Sequence, residues 1–347
     1  MFKRLAFLGL TLLPLTTFAQ NKEIELNVQL PQIIVYANKS NKLDTIVWNG
    51  TIQDADISKS VKVNKQKYFP SIPPGNYSGI THIKGSRYAL ITDKFPSAGY
   101  YIFDITFDKE GQIVNVKNMG FTKTGDTNMD EEAIAFNPFN KHLYIGNEEN
   151  STIQEVEDDK VLKTVTIEDF KKYGVHNRII ESLCFDANKR HFYTINESTL
   201  KGDQKYLLRL KELDEDLKEV KEYSYRMDTP EIEDNKPVNE HAYGVSELLA
   251  LGDGTLLVLE REFYVTDLKV GSWVQNKVYR ILPGHHRKQF VARWKTRINF
   301  TSYNLANYEG MCLGPKLKNG RQVVILCADS QDQYKGILKD WFRTIIL

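Results

Sequence analysis

Two stretches decide the fold: DEEAIAFNPFNKHLYIGNEE at residues 130–149 and IIESLCFDANKRHFYTINES at residues 179–198. They align without a gap. Glu132, Phe136, His142, Tyr144, Asn147 and Glu148 match Glu181, Phe185, His191, Tyr193, Asn196 and Glu197, each pair 49 residues apart. Six matches within a 17-residue window are more than chance supplies and mark a repeated structural unit. Each unit reads as an apolar strand, a turn and a second apolar strand that ends in an acid.

Working outward, the same pattern returns as YSGITHIKGSRYALITDK from Tyr77, GVSELLALGDGTLLVLERE from Gly244 and NYEGMCLGPKLKNGRQVVILCADSQ from Asn307. The five units start at the anchors Ser78, Glu132, Glu181, Glu247 and Glu309, spaced by 54, 49, 66 and 62 residues. That spacing suits four-stranded propeller blades of about 40–50 residues with loops of variable length. The turns agree. Asp253-Gly254 and Asn319-Gly320 are dipeptides that accept the positive φ of a two-residue hairpin turn. Centred on them, Glu247 is expected opposite Glu260, and Cys312 opposite Cys327. Looser versions of the same symmetry pair Glu132 with Glu148, Glu181 with Glu197 and Ser78 with Asp93.

Between the hairpins lie polar segments with alternating apolar residues, such as YIFDITFD at 101–108 and KYLLRLKEL at 205–213, which supply outer strands. IEDFKKYG at 167–174 is the clearest helical piece, with Asp169 and Lys172 on a solvated face. The fold class is therefore all-β, a propeller of four-stranded antiparallel blades. Six blades are favoured and five stay open. The choice turns on residues 20–70, where LPQIIVYA and LDTIVWNG either build a sixth blade or share a closing blade with the C-terminal DWFRTIIL. Pairing both ends in one blade would leave no open sheet edge between first and last. The propeller domain is assigned to residues 71–347.

Residues 1–19, MFKRLAFLGLTLLPLTTFA, have a basic start, an apolar run shorter than a membrane span and a small-residue cleavage pattern before Gln20. This is read as a signal peptide, and the mature chain as a soluble periplasmic or extracellular monomer without a membrane span. Lys+Arg at 46 against Asp+Glu at 45 argues against nucleic acid as a partner held by bulk charge. Three cysteines cannot make a disulfide framework, and Cys184, Cys312 and Cys327 are expected to be buried, mostly free thiols.

The acids carry the functional reading. An acid opening one inner strand and facing an acid closing the next is repulsive by itself. Repeated round a ring, such pairs concentrate negative charge at one mouth of the channel. A bound cation, basic or amide partners, or protonation relieves it. Oxygen donors of this kind suit hard cations such as Ca²⁺ or Mg²⁺. The metal candidates are Glu132, Glu181, Glu247 and Glu309. Lys94, Arg178 and Arg261 lie close in sequence and are candidates for holding an anionic substrate. Glu181 is a candidate base, and His176 and His241, in the loops entering the third and fourth units, are further ones. His142 and His191, at equivalent places in second strands, read as packed or capping residues. Each acid has an equally good structural reading, as a strand cap or an amide partner between blades. No metalloprotease, C-x-x-C, dinucleotide or Walker motif occurs, and neither Ser246 nor Ser78 sits in a nucleophile elbow.

With these motifs in order from Tyr77 to Asp329, the chain resembles the phytase-like family, "esterase-like activity of phytase", of exported bacterial proteins. The resemblance rests on YSGIT with YALITDK, DEEAIAF with LYIGNE, NRIIESLCF with FYTINES, SELLALGDGTLLVLERE and NYEGMCLGPKLKNGRQVVIL. It implies a β-propeller with phosphomonoesterase or carboxylesterase activity on a small-molecule ester or phosphoester. It also implies that Ser78 fills the first anchor with a hydroxyl, as the family's S-G-[IL] start does. Propeller phytases, similar in overall architecture, use Ca²⁺ to hold phosphate. Two functions follow: a hydrolase assisted by a divalent metal, or a non-catalytic exported propeller that binds a ligand, a glycan or a protein.

Overall fold

The computed structural model describes residues 57–232, 240–332 and 334–347, and the backbone of three strands nearer the N terminus. The chain divides into two units, residues 1–51 and 52–347. In the smaller unit, Ile24–Leu26, Gln32–Ala37 and Leu43–Trp48 form a three-stranded antiparallel sheet. LPQIIVYA and LDTIVWNG supply its second and third strands rather than a sixth blade. The leader reading of residues 1–19 falls outside the described residues.

The larger unit is a β-propeller of five blades, the smaller of the two numbers the repeats allowed. Its innermost strands are Tyr77–Lys84, Glu131–Phe136, Cys184–Asp186, Glu240–Ala250 and Asn307–Lys316. Consecutive innermost strands touch, and the last touches the first, so the ring is closed. The first four blades are antiparallel sheets whose four strands follow chain order. In the fifth, Trp341–Ile346 pairs on one side with Gln322–Asp329 and on the other with Lys62–Val63 and Lys67–Tyr68. Chain start and chain end of this unit are thus hydrogen-bonded into one sheet, which joins the ends of the ring.

Burial follows the layering. The second strand of each hairpin is packed on both faces between neighbouring blades, and Leu143–Asn147 is buried at every position. The outermost strand of the first blade, Ile113–Lys123, buries only two of its residues, Ile113 and Val116. Each gap between consecutive blades has its own apolar cluster. Tyr77, Tyr88, Leu90, Phe103, Val323, Ile325 and Phe342 fill the seam between the fifth and first blades. Burying a side chain of that size contributes about 1.5–3 kcal/mol. The short helix Glu168–Tyr173 plugs the seam between the second and third blades with Phe170, while Asp169 pairs with Arg209 and Lys211. Cys184, Cys312 and Cys327 are free and buried.

One feature of the hairpins positions everything at the mouth. In each innermost hairpin the register jumps by one residue near the anchor, a β-bulge. Tyr77 pairs with Thr92 but Gly79 with Ile91, skipping Ser78. Glu132, Ser246 and Glu309 are skipped in the same way in the second, fourth and fifth blades. In the third, the bridge Ile180 to Asn196 and the pair Cys184 to Tyr193 differ by the same jump, across Glu181. The hairpin turns overturn two expected pairings. Leu251 bonds Thr255 and Leu317 bonds Arg321, which centres the loops on Asp253 and Asn319, and the fifth hairpin shifts once more between Leu313 and Lys316. Glu247 lies opposite Leu259, while Glu260 faces Val245. Cys327 faces Gly310, and Cys312 faces Ile325.

Candidate functional site

The bulged position and the residue one step beyond the last pair before the bulge on the second strand form two sets at one mouth. The bulged set is Ser78, Glu132, Glu181, Ser246 and Glu309. The second set, one step beyond Thr92, Asn147, Asn196, Glu260 and Ala328, is Asp93, Glu148, Glu197, Arg261 and Asp329. All ten are buried. The fourth blade therefore contributes a serine and an arginine where most of the others contribute acids. Its true anchor is Ser246, one residue before Glu247. Local backbone supports the arrangement. Asn76 and Asp130, two residues ahead of their anchors, have φ of 48° and 61°, a region that Asn and Asp tolerate better than most residues. Their carbonyls accept the amides of Asp93 and Glu148. Gly244 holds the matching place in the fourth blade because a Cβ there would stand 2.4 Å from the Glu197 side chain.

The mouth has two unlike halves. On one, the fully buried Arg261 guanidinium donates from Nη1 to Asn307 Oδ1 at 2.9 Å and to Glu309 Oε1. From Nη2 it donates to Glu197 Oε1 at 2.8 Å. Asn307 Nδ2 also donates to Glu309 Oε1 at 2.8 Å. Burial, which would lower the guanidinium pKa, is outweighed by Glu309, Glu197 and Glu181, so the charge is held. Burial raises Glu309 and Glu197, but Arg261 opposes it in both.

The other half has no such partner. Asp93, Asp130 and Glu132 bring carboxylate oxygens within 4.8 Å of one another, and Glu132, Glu148 and Glu181 do the same. Two oxygens here are buried and lack any hydrogen-bond partner among the described residues, Asp93 Oδ1 and Glu148 Oε2. The second oxygen of each is taken, by Lys94 Nζ at 3.1 Å and by the Ile179 amide. Crowding in low dielectric holds protons on. Burial and then Glu181 and Asp93 push Glu132 well above the usual range. Burial and then Glu197 and Glu148 do the same for Glu181. Burial, only partly offset by Lys94, pushes Asp93 up to about 7. Burial, reinforced by Glu197, pushes Glu148 up to about 8. Five carboxylates against one ammonium, all hard oxygen donors, with buried oxygens left unpartnered, fit a hard divalent cation.

Basic groups stand at the rim of the mouth. Lys94, with its side chain 47% exposed, is held on Asp93, and Asp93, Asp329 and Glu132 raise its pKa against the lowering effect of burial. His176 is exposed and close enough to Asp130 to favour its ionised form. Arg178 is half-buried, favours the charged form of Glu197, and makes no side-chain hydrogen bond to the described residues.

The structure thus brings Glu132, Glu181, His176 and Lys94 together on one half, whereas Arg178 acts on Glu197, a partner of Arg261. It places the other candidates differently. Glu309 belongs to the Arg261 half, and Arg261 is spent on internal ion pairs rather than open to an anion. Glu247 has left the ring. Its carboxylate accepts the amides of Leu248 at 2.9 Å and Met311 at 3.3 Å, with Leu183 as a further donor, and so joins the third, fourth and fifth blades as an amide partner. His241 points the opposite way from Arg261. Its Nε2 lies 3.1 Å from Glu262, which also accepts the amides of Glu231 and Ile232. It therefore secures a loop instead of serving the mouth. His142 and His191 sit against Glu155 and Glu212, at 2.8 and 2.7 Å, in capping roles. Asp93, Glu148 and Glu197 were visible only as loose hairpin partners, and Asp329 only as an acid near the end of the fifth unit. Asp130 carried no signal beyond its place before the anchor.

A closed five-bladed propeller with a carboxylate-lined mouth defines the class of protein. The profile of the phytase-like family, described as "esterase-like activity of phytase", matches residues 72–331, and the chain belongs to that family. No curated protein matches it. Among solved structures it is similar to a luciferin-regenerating enzyme at 7% identity and a TM-score of 0.42, covering 81% of this chain and 94% of that one. It is similar to hydrazine synthase of Kuenenia stuttgartiensis at 12% identity and 0.37, covering 76% and 80%. An auxiliary nutrient binding protein of Bacteroides thetaiotaomicron matches at 10% identity and 0.37, covering 91% and 82%. At these scores the likenesses bear on neither site nor function.

Proposed function

We propose that this protein is an exported hydrolase of phosphate or carboxylate esters that works with a divalent cation, Ca²⁺ foremost, at the Glu132 half of the mouth. The observation that carries this reading is the crowding of Asp93, Asp130, Glu132, Glu148 and Glu181, with two buried oxygens unpartnered, beside Lys94 on Asp93 and His176 near Asp130. A cation held by these carboxylates would supply Lewis acidity towards an ester oxygen. The remaining work falls to side chains. Lys94 Nζ and Arg178 hold the anionic group of the substrate at the rim. A carboxylate oxygen of Glu181, free of other hydrogen bonds in the described structure, takes the proton of the attacking water. The exposed His176 ring returns a proton to the leaving oxygen. Export rests on the leader reading of residues 1–19. Among the described residues, no helix is long and apolar enough to cross a membrane.

The decisive test is an ester and phosphoester panel run with the purified mature chain, with and without chelator and re-added Ca²⁺ or Mn²⁺. Chelator-sensitive turnover that falls at least 100-fold in Glu181→Gln supports the reading. Turnover indifferent to both chelator and Glu181→Gln ends it. A second reading is favoured by the low exposure of Glu132 and Glu181, at 8% and 6%. A cation so enclosed would stiffen the ring of a non-catalytic binding protein. That reading predicts cation-dependent stability without turnover of any ester.

A further inference from the structure

Both acid triads contain Glu132, and they share no other residue. Asp93 and Asp130 lie on one side of it, Glu148 and Glu181 on the other. The two unpartnered buried oxygens divide in the same way, Asp93 Oδ1 in the first triad and Glu148 Oε2 in the second. Asp93 is 7% exposed and Glu148 1%. In each case the other carboxylate oxygen is already engaged, by Lys94 Nζ in one and the Ile179 amide in the other, so the unpartnered atom is the one left for the cluster. A buried carboxylate oxygen with no partner is costly, and one cation relieves only those oxygens it reaches.

We propose that the mouth holds two divalent cations that share Glu132, one with Asp93 and Asp130 and one with Glu148 and Glu181. This deepens the functional reading above, since it concerns the same site, but it is decided by binding rather than by turnover. The two positions differ in their surroundings. The Glu148 position is enclosed, because Glu132, Glu148 and Glu181 are all buried. The Asp93 position is more open, because Asp130 is only half-buried and the ammonium of Lys94 lies on Asp93. Nearby positive charge weakens cation binding. The enclosed position therefore fills first and empties slowly, and the open one exchanges freely.

The test is a count of ions in the whole mature chain. Calcium titration by calorimetry, with elemental analysis after gel filtration, should return two ions per chain, one retained through desalting and one lost. Glu148→Gln should abolish the retained ion and leave the exchangeable one. Asp93→Asn should do the reverse, and Glu132→Gln should weaken both at least tenfold. These substitutions remove crowded carboxylates without changing shape, and the thermal midpoint in chelator serves as the check that each variant folds. One ion per chain in the wild type, or loss of all binding in both Glu148→Gln and Asp93→Asn, overturns the two-cation arrangement while leaving the hydrolase reading standing. Two ions without ester turnover does the opposite. No bound calcium or manganese removes both.

Discussion

Arg261 and Glu132 sit in the same mouth and meet the same problem by opposite means. Around Arg261, one guanidinium placed where other blades carry an acid satisfies Glu197, Glu309 and Asn307 with donors built into the chain. Around Glu132, acids gather with no basic side chain hydrogen-bonded to them among the described residues except Lys94 at the edge. The comparison teaches that a repeated acid position is not by itself a ligand. The same ring position is structural where the neighbouring blade supplies a cation and available where it does not. Glu247 shows the structural case in its extreme form, a buried carboxyl whose partners are all backbone amides.

The largest effect that can break this contrast is removal of Arg261. Arg261→Met leaves Glu197 and Glu309 buried and unpaired, and should cost about 3–5 kcal/mol of unfolding free energy in urea. Glu132→Gln, on the other half, should leave the chelator-treated protein as stable as wild type or more so. Equal losses in the two variants would erase the distinction. Next, excess Ca²⁺ at pH 8 should raise the wild-type unfolding free energy by about 2.7 kcal/mol when the ion is at a hundred times its Kd. Glu132→Gln should lose most of that gain and Arg261→Lys little of it.

The pH dependence sharpens the comparison further. In the metal-free protein, Asp93 and Glu148 titrate near 7 and 8, above their unfolded values near 4. The folded state thus binds protons that the unfolded state has released. The stability this confers is complete below about pH 4 and is lost as pH rises through 7 and 8. In chelator, unfolding free energy should therefore fall between pH 5 and pH 8.5, by on the order of 1–3 kcal/mol. Saturating Ca²⁺ should flatten or reverse the slope, and a rise with pH in chelator would contradict the crowding. At the rim, Lys94→Ala should raise KM for an anionic ester about tenfold, a change of about 1.4 kcal/mol, with little effect on a neutral one. The smallest expected change is in His241→Ala, which should lower stability by about 1 kcal/mol, the scale of one lost hydrogen bond. It should leave the ion count unaltered, because it faces the loop at residues 228–232.

Much of this was legible in residue order. The gapless match of residues 130–149 with 179–198 locates two blades, and the three weaker copies locate the rest. The expected sharing of strands between chain ends has its counterpart in Lys62–Val63 and Lys67–Tyr68 beside Trp341–Ile346. Glu132 and Glu181 are two of the anchors, Lys94 follows Asp93, and Arg178 and His176 lie three and five residues before Glu181, so residue order alone made them candidates. Glu247 misled because Glu follows Ser in SELLAL. An alignment by residue type chooses the acid, whereas the bulge chooses the serine. His241 misled because nearness in sequence says nothing about which face of a strand a side chain takes.

What the sequence determines by itself is therefore the periodic part: strand pairs, turns, blade class and the set of acids available to one mouth. These follow from local alternation and local turn chemistry, which adjacent residues set. The tertiary structure alone decided the rest. It made the blades five, because strands near residues 62–68 complete the last sheet. Through a one-residue jump repeated from blade to blade, it also decided which side chains reach the mouth. Finally, it set Arg261 against Glu197 and Glu309 while leaving Glu132 among acids. Those pairings join residues up to 64 positions apart on different blades, and their energies depend on distance and burial, which only the closed ring defines.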